Sequence, residues 1–221
     1  MKTSFFCFFL LTVFLINAEK WDQTQAVTDI DGNTYATVTI GEQIWMAENL
    51  RTSRFNNGRK ITHIESRRKW ADTREPAYSW YQNDKSSFQD TYGALYNWYT
   101  VEHGNLCPEG WRVPDNTDWD ELSSHLGVNA GGHLKEAGTD HWNTTSEADD
   151  NKTGFTALPG GSRQADGTFE ALGEWGNWWS TSESSETNAL YVYLFRASTT
   201  MGKFDTYKDN GFSVRCLKNN K

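Results

Sequence analysis

Two cysteines, Cys107 and Cys216, are the residues of this chain best suited to form a covalent link. The third cysteine, Cys7, lies inside an apolar run near the N-terminus that has the pattern of a leader peptide. In an exported protein, an even number of cysteines most simply forms disulfides. We therefore expect a Cys107–Cys216 disulfide, and two free buried thiols are the alternative.

Tryptophan is the second residue type with binding chemistry, and the chain has eleven of them. Trp142, Trp175, Trp178 and Trp179 fall in the second half and are candidates for ligand binding, because exposed indole rings stack on sugars or anchor protein partners. Trp178 and Trp179 are adjacent in a predicted strand, so they point to opposite faces. Trp175 has glycines on both sides and is expected to be the most exposed. The alternative is that all four fill the core.

One loop, from Thr139 to Gly154, is rich in oxygen ligands. Its Glu147, Asp149, Asp150 and Asn151 are weak candidates for binding calcium, a cation that prefers carboxylate and carbonyl oxygens. Acidic loop residues that are only solvated are the alternative. No other cofactor is expected.

Catalytic motifs are missing from the sequence. There is no Gly-x-Ser-x-Gly elbow and no glycine-rich phosphate loop. The five histidines are scattered, without the short spacing of metal ligands, at His63, His103, His125, His133 and His141. We therefore expect no enzymatic activity.

Net charge and the N-terminal apolar run limit the partners and the location of the protein. The formal net charge is −8, which repels phosphate backbones and argues against nucleic-acid binding. Residues 1–18 have the pattern of a cleaved signal peptide, with an apolar run that is shorter than the ~20 residues of a membrane-spanning helix. Residues 19–26 form a lead-in, and residues 27–218 are predicted to be a single domain without a transmembrane segment. The expected location is secreted, periplasmic or at the cell surface.

Residues 92–127 contain two helix patterns that would position these groups. Apolar residues from Tyr92 to Tyr99 recur at helical spacing and predict a first helix. The second helix has Asp115 as its N-cap, Asp118 in the capping-box position and Gly127 as its C-terminal cap.

The remaining elements are predicted strands. Asp31-Gly32 and Gly41-Glu42 are hairpin signals between short strands. In the second half we expect strands over residues 173–183, 188–197 and 211–217. In the middle one, both faces are apolar, which predicts a strand that is covered on both sides.

The order of these motifs resembles the Fibrobacter succinogenes major paralogous domain family. The resemblance rests on DIDGNTY, TIGEQIWMAENLR, YGALYNWYT, LCPEGWRVPDNTDWDEL, GFTALPGGSR, WWSTSE and GFSVRCLK. It implies a bacterial exported or surface-attached protein. It further implies an α+β, C-type-lectin-like fold, distantly related to the formylglycine-generating sulfatase-modifying enzymes, with two helices packed on an antiparallel sheet and long ordered loops.

Three functions are compatible with this resemblance. The first is a non-catalytic binding or adhesion module for an extracellular glycan or protein, which we favour. The second is an oxidase like the formylglycine-generating enzymes, which use a copper-binding pair of cysteines. The third is a purely structural surface protein. The calcium-dependent sugar sites of C-type lectins have a Glu-Pro-Asn or Gln-Pro-Asp turn, and Leu158-Pro159-Gly160 does not supply that set.

Overall fold

The computed structural model describes residues 26–146 and 148–219. The predicted signal peptide, nearly all of the lead-in segment and Glu147 lie outside these residues. The described chain is an α+β protein, as predicted, in which short helices pack against several small sheets. No helix in this part of the chain has the length and apolarity needed to cross a membrane.

The described residues form fourteen strands, most of them short and antiparallel. They are β1 Val27–Thr28, β2 Thr34–Tyr35, β3 Thr37–Ile40, β4 Gln43–Met46, β5 Thr62–His63, β6 Ala77–Ser79, β7 Leu95–Tyr96, β8 Trp111–Arg112, β9 Gly160–Arg163, β10 Phe169–Leu172, β11 Trp175–Glu183, β12 Asn188–Phe195, β13 Gly202–Tyr207 and β14 Leu217–Lys218.

Five α-helices lie among the same residues, and none is longer than α4. They are α1 Arg67–Asp72, α2 Lys85–Tyr92, α3 Trp98–Glu102, α4 Asn116–Leu126 and α5 Ala130–Leu134. Two 3-10 turns, Tyr81–Asn83 and Gly127–Asn129, complete the helical structure of the described chain.

The four-stranded sheet joins the beginning and the end of the described chain. Its strand order is β3-β4-β14-β8, so β14 lies between two strands that precede it by a hundred residues or more. Leu217 is the central residue and pairs with both Trp45 and Arg112. Backbone bonds from Met46 to Cys216 and from Leu50 to Val214 extend the pairing beyond β14.

A second sheet, β11-β12-β13, carries the longest strands. The segment Gly211–Ser213 runs between this sheet and the β9–β10 hairpin. Gly211 exchanges backbone hydrogen bonds with Arg163 on one side, and Ser213 bonds to Asn177 and Trp179 on the other. This segment therefore fixes the hairpin against the sheet.

The core consists of two large clusters that are rich in tryptophan. One contains Trp98 and Trp179, and the other contains Trp45, Trp119 and Trp178. The predicted disulfide is present in the first cluster. It joins Cys107 to Cys216, with 6.0 Å between the Cα atoms, and ties the loop before β8 to the residue that precedes β14.

The helix predicted over residues 116–126 is confirmed with its caps. The Asp115 carboxylate accepts a hydrogen bond from the Asp118 amide, and the Asp118 carboxylate accepts one from the Asp115 amide, which forms a capping box. Gly127 ends the helix with a φ of 76°. The buried side carries Trp119 and Leu122.

The helix predicted over residues 92–99 is wrong. Helix α2 ends at Tyr92, and Gly93 takes a φ of 73°. Leu95–Tyr96 then form β7, which pairs with β6. A Cβ atom at Gly93 would come within 2.8 Å of the Leu50 carbonyl oxygen, so the close approach of the chain at this point requires glycine.

Both predicted hairpins are confirmed. The turn at Asp31-Gly32 joins β1 to β2, and the turn at Gly41-Glu42 joins β3 to β4. The single strand expected between the two turns is divided at Ala36, because β2 and β3 belong to different sheets.

Candidate functional site: an aromatic groove

A groove lies between the β9–β10 hairpin and the β11–β12–β13 sheet, and we name it the aromatic groove. Its cavity volume is about 250 Å³. The segment Gly211–Ser213, which bridges the two elements, contributes Phe212 to the groove. The lining residues are Ser162, Gln164, Glu170, Ala171, Trp175, Asn177, Tyr191, Thr206, Asn210 and Phe212.

The aromatic wall of the groove comes from strand register. Trp175 lies directly opposite Phe195, and Asn177 lies opposite Tyr193, so these side chains share one face of the sheet. The Trp175 ring packs on Phe195 at 4.5 Å and on Tyr193 at 5.3 Å between ring centroids. Trp175 is half-buried, and its indole N–H makes no hydrogen bond to a described residue.

This row of rings continues into the core. Tyr191 packs against Tyr193 at 6.0 Å and against Phe212 at 4.7 Å between centroids, and Phe212 packs against the buried Trp179 at 4.6 Å. Each ring is thus held by a neighbour on either side. A wall built in this way needs little reordering when a ligand binds, which lowers the entropic cost of binding.

The expectation that the strand over residues 188–197 is covered on both sides holds only in part. Ala189, Val192 and Leu194 are buried, whereas Tyr191, Tyr193 and Phe195 are only half-buried. The aromatic face is covered at Ala189 and Tyr191 by Trp179 and Phe212, whereas Tyr193 and Phe195 remain half-buried beside the groove. Sequence reasoning missed the three half-buried rings as site residues, although their alternation with aliphatic residues was visible.

Amide side chains supply the polar groups of the groove. Asn177 is 6% exposed, and its side-chain amide donates to the carbonyl oxygen of Gly161 at 3.2 Å. Asn210 is 5% exposed, and its amide donates to the Thr206 hydroxyl at 2.6 Å. Within the described residues, neither side-chain oxygen accepts a hydrogen bond. Neither oxygen is among the buried side-chain atoms that lack a partner, so both are open to solvent and available to a ligand.

Charge is nearly absent from the groove. Glu170 is the only lining residue with a formal charge, and it is exposed at the rim. Burial raises the pKa of Tyr191, and the neighbouring Tyr193 and Asp205 add to this effect. The Tyr191 phenol therefore stays protonated at physiological pH and can donate a hydrogen bond.

The hairpin that forms the opposite wall has an unusual backbone. Gly161 in β9 has a φ of 65°, and a Cβ atom there would lie 2.4 Å from the Glu170 carbonyl oxygen. Ala171 in β10 also has a positive φ, 64°, which is strained for a residue with a side chain. Such strain persists only where the surrounding structure enforces it, and here it places Glu170 and Ala171 at the groove.

Of the four candidate tryptophans, the structure brings only Trp175 to the groove surface. The expectation of an exposed cluster is wrong for the other three, because Trp142, Trp178 and Trp179 are 1%, 1% and 0% exposed. Their indole N–H groups donate to Ala157 O, Asn49 Oδ1 and Tyr96 O, respectively, at 3.0, 2.8 and 2.7 Å. They fill the core, and Trp179 supports the groove from beneath through Phe212.

Comparison with known proteins identifies the family of this chain. The sequence profile of the Fibrobacter succinogenes major domain matches residues 38–218, which include every residue of the aromatic groove. The chain belongs to the Fibrobacter succinogenes major domain family. The matched region lies within the domain predicted over residues 27–218. No curated protein and no solved structure matches the chain.

In this Fibrobacter succinogenes major domain, the acidic loop after α5 is held by a lysine. Asp149 is buried and accepts hydrogen bonds from Lys135 Nζ at 3.3 and 3.4 Å. Asp150 pairs with His133, and Asn151 bonds to Thr156. These three calcium candidates therefore have separate partners, and the Lys135 ammonium takes the place that a cation would have beside Asp149.

The other groups considered for chemistry in this Fibrobacter succinogenes major domain lie apart from one another. His103 stacks on Phe55 and bonds to Arg59, whereas His141 bonds to Glu136. The described residues contain no group of three or more histidines, cysteines or acids placed to hold a metal ion. Cys107 and Cys216 are 2% and 0% exposed and are bonded to each other.

Proposed function

We propose that this chain is a non-catalytic binding module and that the aromatic groove is its ligand site. The observation that carries the proposal is the position of Trp175. Its half-buried ring lies beside two buried amides, Asn177 and Asn210, whose oxygens are free of partners in the described chain. Sites of this kind, concave and aromatic with a few convergent polar groups, are typical of binding pockets.

The state of the cysteines supports a non-catalytic role. An oxidase of the formylglycine-generating kind needs two cysteines that can reach a copper ion and a substrate. Cys107 and Cys216 are buried in the core and joined to each other, a position that suits a structural bond.

We further propose that the module acts outside the cytoplasm. A disulfide is stable in oxidising compartments and is rare where thiols are kept reduced. The pattern of residues 1–18 supports the same location. The pairing of β14 with β4, which places the first and last parts of the domain side by side, supports a C-type-lectin-like architecture.

The experiment that tests the binding role is a screen of the purified protein against a glycan array and a displayed peptide library. Any ligand found is then measured with Trp175→Ala. Because the Trp175 ring forms the groove wall, we expect this variant to lose at least tenfold in affinity for the ligand.

Tyr207→Ala is the matched control. Tyr207 is an aromatic residue of β13 that is 61% exposed and does not line the groove. Its loss should leave the affinity unchanged. If Trp175→Ala binds every ligand as well as the unmodified protein does, the groove is not the binding site and the proposal fails.

A further inference from the structure

The size of the aromatic groove limits the ligand that it takes. Its volume of about 250 Å³ lies just below the ~300–1,000 Å³ of clefts that enclose drug-sized molecules. It is lined by ten residues, whereas a stable protein interface involves roughly 20–30 residues on each side. The groove is therefore suited to one ring-sized unit of a ligand and is small for a folded protein partner.

The aromatic wall is matched by the apolar face of a sugar ring. A pyranose presents a patch of C–H groups on one face, and this patch packs well on an indole or phenol ring. Trp175 is backed by Phe195 and Tyr193 and has an exposed part facing solvent. An amphipathic aromatic side chain in this position offers an apolar surface with an N–H donor at its edge.

The hydroxyl groups of a sugar are complementary to the buried amides of the groove. Each hydroxyl of a sugar is both a donor and an acceptor of hydrogen bonds. Asn177 and Asn210 offer free acceptor oxygens, the Trp175 N–H offers a donor, and the Tyr191 phenol offers either. A purely apolar ligand would bury these groups without hydrogen-bond partners, which is unfavourable.

The charges at the groove favour neutral sugars over acidic ones. No lysine, arginine or histidine lines the groove, and Glu170 stands at its rim. A ligand carboxylate in the groove would find no cation among the lining residues and would be repelled by Glu170. Arg196, which lies over the Phe195 ring, is already paired with Glu174. The negative net charge of the chain, −8, acts in the same direction.

We propose that the aromatic groove binds a neutral pyranose unit of a glycan, with Trp175 stacked on its C–H face and Asn177 and Asn210 accepting hydrogen bonds from its hydroxyls. This inference rests on the proposed binding function and adds the class of ligand to it. The amides contact the hydroxyls directly, so binding does not require calcium.

The test measures saccharide affinity by calorimetry and by saturation-transfer NMR. The probes are matched pairs that differ in charge, such as lactose with sialyllactose and galactotetraose with tetragalacturonate, together with cellotetraose and maltotetraose as further neutral chains. Every titration is repeated in EDTA. We expect at least one neutral probe to bind, with the same affinity in the presence and absence of EDTA. A neutral probe that belongs to a matched pair should bind at least tenfold tighter than its acidic counterpart.

Variants then locate the bound sugar. Trp175→Ala should weaken binding at least tenfold, Trp175→Phe should retain part of the affinity, and Tyr207→Ala should retain all of it. Asn210→Ala should also weaken binding, with an unfolding curve recorded for each variant so that loss of fold is recognised. Saturation transfer should be strongest at ring C–H protons that face the indole.

Four results would overturn the inference. Tighter binding of the acidic probes would show that the groove selects charge, and loss of binding in EDTA would show that a metal ion holds the sugar. If no saccharide binds while a peptide binds in a Trp175-dependent manner, the ligand class is wrong and the proposed binding function stands. If neither class of ligand depends on Trp175, both proposals fail.

Discussion

The ring of Tyr193 lies directly over Gly202 in the neighbouring strand. The two residues are paired across β12 and β13, and a Cβ atom at Gly202 would come within 2.1 Å of the Tyr193 ring carbon Cζ. Because Tyr193 also packs against Trp175, the missing side chain at Gly202 sets the position of the groove wall.

Gly202→Ala is therefore expected to disturb the groove more than the fold. The added methyl group must push the Tyr193 ring aside, and overpacking of this kind costs about 1–3 kcal/mol. Since the ring is half-buried and can move toward solvent, we expect the low end of this range in urea unfolding. Affinity for the groove ligand should fall severalfold.

Gly160→Ala is the control for this substitution. A Cβ atom at Gly160 would meet its nearest neighbour, Ser213 Oγ, at 3.5 Å, an ordinary contact. Its affinity and stability should stay close to those of the unmodified protein. Unchanged ligand affinity in Gly202→Ala would show that Tyr193 does not position Trp175.

Reduction of the disulfide is expected to destabilise the domain strongly. The bond joins residues that are 109 positions apart, and for a loop of that length the chain-entropy model gives roughly 4–5 kcal/mol. Urea unfolding with and without a reductant measures this difference. The double variant Cys107→Ala/Cys216→Ala should be equally destabilised and insensitive to the reductant. An unfolding midpoint that does not respond to reductant in the unmodified protein would contradict the prediction.

Removal of Lys135 should be costly, because it leaves a charge without a partner in the interior. Lys135 and Asp149 side chains are 1% and 0% exposed, and Lys135 Nζ also donates to the Ser198 carbonyl oxygen at 2.6 Å. Breaking a buried ion pair on one side costs about 3–5 kcal/mol. We expect a loss of this size for Lys135→Ala in urea unfolding.

Two further variants calibrate the Lys135 measurement. Arg68→Ala removes an ion pair to Asp72 whose side chains are 93% and 72% exposed, and should cost less than about 1 kcal/mol. Lys135→Met combined with Asp149→Leu leaves no unpaired charge and should be more stable than Lys135→Ala alone. If Lys135→Ala lowers the free energy of unfolding by less than about 1 kcal/mol, the Lys135–Asp149 pair does not stabilise the loop.

Asp118 should make stability dependent on pH on the acid side. Burial alone would raise the pKa of Asp118, but hydrogen bonds from Arg112 and the Asp115 amide outweigh it and hold the pKa below its usual range. A lowered pKa in the folded state means that the carboxylate stabilises the fold above its unfolded pKa of about 3.9. This contribution is lost as the pH falls through the lowered value.

Asp118→Asn should therefore lower the free energy of unfolding by about 1–3 kcal/mol at neutral pH, because it weakens the capping box and the charge-assisted bond to Arg112. The difference from the unmodified protein should be constant above about pH 5 and shrink below about pH 4. Urea unfolding as a function of pH checks this, with Glu121→Gln on the exposed side of the same helix as the control. A difference that persists unchanged in acid would contradict the assignment.

Features that depend on neighbouring residues were predictable from the sequence. The cap of α4 needs only Asp115, Asp118 and Gly127, which lie within one short segment, and the hairpin at Gly41-Glu42 is equally local. The disulfide was predictable from cysteine number and the expected compartment. These signals act over a few residues or through chemistry alone, so no knowledge of the fold was needed.

Features that depend on distant partners were not predictable. The apolar spacing from Tyr92 to Tyr99 suits a helix, but pairing of β7 with β6 overrides it, and Gly93 was the available sign of a break. Trp178 is buried in the core, and its N–H is satisfied there by Asn49, which is 129 positions away in the chain. How far each face of β12 is covered depends on β13 and the β9–β10 hairpin, and no local sequence pattern contains that information.

The position of β14 determines when the domain can fold during synthesis. Strands β4 and β8 do not contact each other in the four-stranded sheet until residues 214–217 arrive between them. Before that point, the backbone amides of Met46 and Leu50 have no acceptor, and Cys107 has no partner. We therefore expect the four-stranded sheet and the disulfide to form only after residue 217 has been synthesised, which leaves the earlier part of the domain accessible to chaperones and proteases until then.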